Sequence, residues 1–193
     1  YKDSEVTEVV NSLVSNPSVL TALMGLQFPG LISKLPFVKF FVKQKLISKA
    51  KTINTINDYQ MLFKNLMEKV IQESISSFAV NGLEQLSEDD SYLFISNHRD
   101  ITLDAALLAF KLHQSNFQTF NIAVGNNLME ETWASDLFRL NKSFIIQRSG
   151  ASKKEIYSGL SMASKFIHQS IFKENNSVWI AQKQGRAKDG IDE

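Results

Sequence analysis

The chain of 193 residues has no cysteine, only three histidines and only three prolines, and it lacks any long uninterrupted apolar run. Without cysteine there is no disulfide, no thiolate nucleophile and no cysteine-ligated zinc. Three scattered histidines without an H-E-x-x-H pattern leave only carboxylates as metal ligands, and no metal is expected. No G-x-S-x-G elbow is present, which removes the usual serine hydrolase arrangement. The eight glycines form no G-x-G-x-x-G loop. The tripeptide His98-Arg99-Asp100 is therefore not a protein-kinase catalytic loop, whose asparagine would fall at Ala105. A net charge of +1 gives no global attraction for nucleic acid, and no nucleic-acid partner is expected. Residues 9–33 carry no charge, but Asn11, Ser12, Asn16, Pro17, Gln27 and Pro29 interrupt them. A membrane span needs ~20 mostly apolar residues, so none is read here.

What the chain does have is enough apolar surface for a core, at 44% hydrophobic residues. Up to about Ala79 the pattern is helical, with breaks at Asn16-Pro17, at Phe28-Pro29-Gly30 and near Asn54; three helices are expected. The last, over residues 56–77, places Tyr59, Leu62, Phe63, Leu66, Val70 and Ile71 at three- and four-residue steps on one face. After Gly82 the rhythm changes to short apolar runs at 92–96, 120–124, 144–147 and 178–181, which read as buried strands. Helical patterns at 102–113, 128–138 and 152–172 alternate with them. The fold expected is α/β, a mixed and largely buried sheet flanked by helices. An N-terminal helical region over 1–80 precedes an α/β domain over 81–193.

Catalytic groups on such sheets gather where strands end and helices begin. Within "YLFISNHRDITLDAALLAF", His98 follows the first strand directly, flanked by Asn97 and Arg99, with Asp100 and Asp104 within reach. Either carboxylate could orient the ring and stabilise its charged form. His113 and His168 lie in helical segments and read as ordinary polar residues. A histidine acting as general base beside a carboxylate, on a nucleophile supplied by the substrate, is the chemistry left standing.

Three blocks in order then carry a likeness: "NHRDITLD", "FIIQR" and "IAQKQGRAKDG". They resemble the N-H-x4-D, F-I-x-R and F-P-E-G-T-R-S blocks of the glycerolipid acyltransferases, which include lysophosphatidic acid and glycerol-3-phosphate acyltransferases. The resemblance runs from about Phe94 to Gly190 and implies a glycerol-3-phosphate acyltransferase-like fold. It implies that His98 deprotonates the hydroxyl of a lysophospholipid or glycerol phosphate, that Asp104 orients His98, and that Arg148 and Arg186 hold the acceptor's phosphate. A guanidinium fork matches that group well. Gly185 would let backbone approach closely. The donor implied is acyl-CoA or acyl carrier protein, with no bound cofactor and no acyl-enzyme. Two positions depart from the pattern. Five residues rather than four separate His98 from Asp104, and Gln184 stands where the family has glutamate. Asp100 is read as the helix N-cap. The likeness also implies a domain that continues past Glu193.

Such substrates imply work at a membrane surface, as a peripheral protein on its cytoplasmic face. The segment "LISKLPFVKFFVKQKLISKAK" has six lysines and no acidic residue, with Phe37, Phe40, Phe41, Leu46 and Ile47 among them. It reads either as a helix in the interface of an anionic bilayer or as one packed on the N-terminal helices with its lysines in water.

Overall fold

Proline at the first position of a helix forfeits an N–H that would have no intrahelical partner, and its fixed φ suits the turn. Pro17 uses that allowance. Helix α1 (Asp3–Ser15) stops at Asn16, whose ψ of 122° is extended, and α2 (Pro17–Gln27) starts at once. Helices α3 (Pro36–Ala50) and α4 (Ile56–Ser74) follow, so four described helices stand where three were expected. The extended Asn16 separates two short helices instead of kinking one. The computed structural model describes residues 1–27, 36–101, 103–129, 131–147, 152–182 and 185. The expected break at Phe28-Pro29-Gly30 lies outside the described residues.

The chain forms two compact units, Tyr1–Leu62 with Met129–Asn141, and Phe63–Leu128 with Lys142–Glu193. In the first, Val6, Val10 and Leu13 of α1 meet Val19, Ala50, Ile53, Tyr59 and Leu140 in one buried cluster. Leu140 ends α6 (Thr132–Leu140), a helix brought into this unit by the connection between two strands of the other. Burial pushes the Tyr59 phenol up, and its hydroxyl donates to the Leu137 carbonyl at 3.3 Å. The apolar face expected on α4 holds only in part. Tyr59 is buried and Leu62 packs on the cluster, but Leu66 stays exposed while Met67, outside the expected face, is buried.

The second unit is built on four described strands, β1 (Leu93–Ser96), β2 (Asn121–Gly125), β3 (Ser143–Ile146) and β4 (Val178–Ala181). All described pairings are parallel, in the order β1-β4-β2-β3. The α/β fold is as expected. Helix α5 (Leu103–Gln114) covers one face of the sheet through Ala105 and Leu112, which pack with Phe120 and Trp179. On the other face Phe144 of β3 meets Phe166 of α7 (Lys153–Phe172), ring centroids 4.6 Å apart. Helix α7 starts with a capping box. The Ser152 hydroxyl accepts from Glu155 N–H, while the Glu155 carboxylate accepts from Ser152 N–H.

Because the strands run parallel, their carboxyl ends share one edge of the sheet. Asn97 and His98 follow β1 at that edge, as Gln147 follows β3 and Gln182 follows β4.

Candidate active site

The site is built around the turn that joins β1 to α5. Asp104 sits in the first turn of α5, where a carboxylate complements the helix N-terminus. It folds back over the turn. One oxygen, Oδ2, lies 2.9 Å from His98 Nδ1 and accepts the backbone N–H of Arg99 at 2.7 Å and of Asp100 at 3.0 Å. An oxygen already accepting two N–H groups acts as an acceptor toward the ring too, so Nδ1 carries a proton and the lone pair of a neutral ring falls on Nε2. The side chains of His98 and Asp104 are 14% and 18% exposed, screened from bulk water but not sealed from a substrate.

The extra residue between His98 and Asp104 therefore does not separate them. Of the intervening residues, Arg99 and Asp100 are tied to the carboxylate through their backbone N–H groups. Asp100 does different work, since its Oδ1 accepts the N–H of Leu103 at 2.7 Å and caps the start of α5. That matches the reading of Asp100 as the cap.

Trp179 supplies a wall that the sequence reading missed. Its ring stands edge-on to the imidazole, centroids 6.4 Å apart, and its Nε1–H donates to Ser96 Oγ at 3.2 Å. It lies in β4 in register with Phe94, and is almost fully buried. Ser96 in turn donates to the Asn97 carbonyl at 3.0 Å, so the two residues before His98 are tied to the neighbouring strand. The signal that could have found Trp179 is its place just before the third block, on a strand apolar enough to lie at the centre of a sheet.

The third block begins beside the first, because Gln182 N–H donates to the Ser96 carbonyl at 2.9 Å. Gly185 has φ +88°, a left-handed backbone that glycine adopts without strain. No described atom lies within 4 Å of where its Cβ would be. Arg148, Gln184 and Arg186 lie outside the described residues. Among the described residues no group of three or more histidines, aspartates and glutamates could hold a metal ion.

A neutral imidazole oriented through Nδ1 by a carboxylate can take a proton at Nε2 from a hydroxyl. Comparison with curated proteins gives no match. A sequence model of the family described as Acyltransferase matches residues 77–186, a span that holds the His98 turn, the four described strands, the first two blocks and the third as far as Arg186. With more than half of its length matched, the chain belongs to the acyltransferase family, that of the glycerolipid acyltransferases.

Proposed function

We propose that the protein moves a fatty acyl group from acyl-CoA or acyl carrier protein to the hydroxyl of a lysophospholipid or glycerol phosphate, in phospholipid synthesis. The observation that carries this is the 2.9 Å contact between His98 Nδ1 and Asp104 Oδ2, which leaves Nε2 to act as base. His98 takes the acceptor's hydroxyl proton as that oxygen attacks the thioester carbonyl. The tetrahedral intermediate collapses, the carbon–sulfur bond breaks, and the imidazolium returns the proton to the leaving thiolate. No acyl-enzyme forms. Asp104 holds the ring and stabilises the imidazolium. Arg148 and Arg186, by the family resemblance, bind the acceptor's phosphate. The protein acts at the cytoplasmic face of a membrane, where its acceptor and product reside.

The test is release of free thiol from acyl-CoA or acylated carrier protein, with lysophosphatidic acid or glycerol 3-phosphate as acceptor and His98→Ala as blank. Thiol release that rises with acceptor and vanishes in the blank supports the reading. Thiol release indifferent to acceptor makes the protein a thioesterase and ends it. Gln184, in place of the family's glutamate, favours a second reading, a relative that binds the lipid and turns it over poorly. That reading predicts that Gln184→Glu raises the rate.

A further inference from the structure

Helix α3 has two apolar faces. Val38, Val42 and Leu46, half-buried, and Ala50, buried, recur at four-residue steps and form one stripe. That stripe belongs to the side on which α3 meets α1 and α2. At 3.6 residues per turn, Phe37, Phe40 and Phe41 fall on the opposite side of the same helix. They are 60%, 58% and 68% exposed, and the rings of Phe40 and Phe41 stack edge-to-face with centroids 5.9 Å apart. Lys43 and Lys45 fall to either side of these rings, Lys39 and Lys49 lie nearer the packed stripe, and all four are exposed. No aspartate or glutamate occurs between Glu8 and Asp58. Packing against the N-terminal helices thus accounts for one face of α3 and leaves three phenylalanines outward.

We propose that the Phe37, Phe40 and Phe41 face of α3 inserts into the boundary between headgroups and acyl chains of an anionic lipid surface, with the flanking lysines at the level of the phosphates. This rests on the reading of the acceptor as a membrane lipid. An acidic carrier protein would engage the lysines and leave the rings in water. A second copy of the chain would bring lysines against lysines. A lipid surface takes both groups at once, since aromatic rings favour the interfacial depth and lysine stems reach past them to the headgroups. The helix lies in the plane of the surface, and no described helix is long and apolar enough to cross it.

The experiment is flotation of the full chain with vesicles of phosphatidylcholine alone or with about a third phosphatidylglycerol, at ionic strength near 0.15 M, where surface attraction is already screened. Three proteins are compared: the parent, Phe37→Ser/Phe40→Ser/Phe41→Ser, and Lys39→Gln/Lys43→Gln/Lys45→Gln/Lys49→Gln, each checked for helicity. The parent binds the anionic vesicles, and each variant loses binding by about tenfold or more. Phe40→Trp gives a second readout, with fluorescence quenched by brominated acyl chains only on anionic vesicles. Retained binding in the phenylalanine variant, or an unquenched tryptophan, would overturn insertion and leave only surface charge. Absence of parent binding would overturn it too, whether the phenylalanines then prove to hold a second copy or a carrier protein. Vesicle binding by a parent that shows no acyl transfer would leave this inference standing and remove the functional reading instead.

Discussion

Helices α3 and α5 are of similar length, and each buries one apolar stripe, yet they finish differently. On α5 the stripe of Ala105 and Leu112 meets the sheet, the first turn is tied by Asp100 and Asp104, and Lys111 and His113 in the last turn complement the dipole. Its side chains are accounted for within the chain. On α3 the lysines spread along both flanks rather than gathering at the carboxyl end, and three phenylalanines are left outward. A helix completed by its own fold anchors the turn that carries His98, through Asp104. One left incomplete points to something outside the fold.

Breaking the completed helix turn should have the largest effect. His98→Ala should lower acceptor-dependent thiol release by about 10²–10⁴-fold while the circular dichroism spectrum stays unchanged, because the residue sits in a turn outside the helices and strands. A variant keeping more than about a tenth of the parent kcat would remove His98 from the role of base.

Asp104→Asn comes next, with a fall in kcat of about 10²-fold and a lower melting temperature, since one oxygen serves His98 and two backbone N–H groups. Asp100→Asn should act through the helix alone, costing at most about 1 kcal/mol with kcat nearly unchanged. The reverse order of activities would move the orienting carboxylate to Asp100.

Gly159 sharpens the comparison from the opposite face of the sheet. A Cβ there would stand 2.7 Å from Gln147 Cβ, at the end of β3. Alanine usually helps a helix interior, but here α7 must shift, and Gly159→Ala should destabilise by about 1–3 kcal/mol in urea unfolding. Since Arg148 follows Gln147 in sequence, KM for the phosphate-bearing acceptor should rise more than kcat falls.

The smallest effect concerns acid. The Asn54 backbone N–H, followed by the Thr55 hydroxyl, holds Asp58 below the usual carboxylate range; the Ser152 backbone N–H and hydroxyl do the same for Glu155. A folded-state value below the unfolded one adds stability at neutral pH that is lost as pH falls through the folded value. Asp58→Asn and Glu155→Gln should therefore melt below the parent at pH 7. Melting curves taken from pH 7 down to about 3 should show that gap closing.

The sequence by itself determined the local elements. The four apolar runs are the four described strands to within a residue at either end, and the patterns at 102–113 and 152–172 are α5 and α7 within a residue. Periodicities of two and 3.6 are written in neighbouring residues, so they survive without knowledge of the rest of the chain. His98 and its two candidate carboxylates were visible for the same reason, all within seven consecutive residues. What only the tertiary structure decided is non-local. Insertion of β4 between β1 and β2 brings Trp179 beside a histidine 81 positions earlier, and no local pattern encodes that pairing. The choice of Asp104 over Asp100 depended on how a turn one residue longer than the family's closes, which is a matter of backbone path rather than spacing. On α4, burial of Met67 instead of Leu66 was set by what packs around the helix. The two faces of α3 were equally hidden: a sequence marks which residues are apolar, and only packing shows which of them the fold leaves unused.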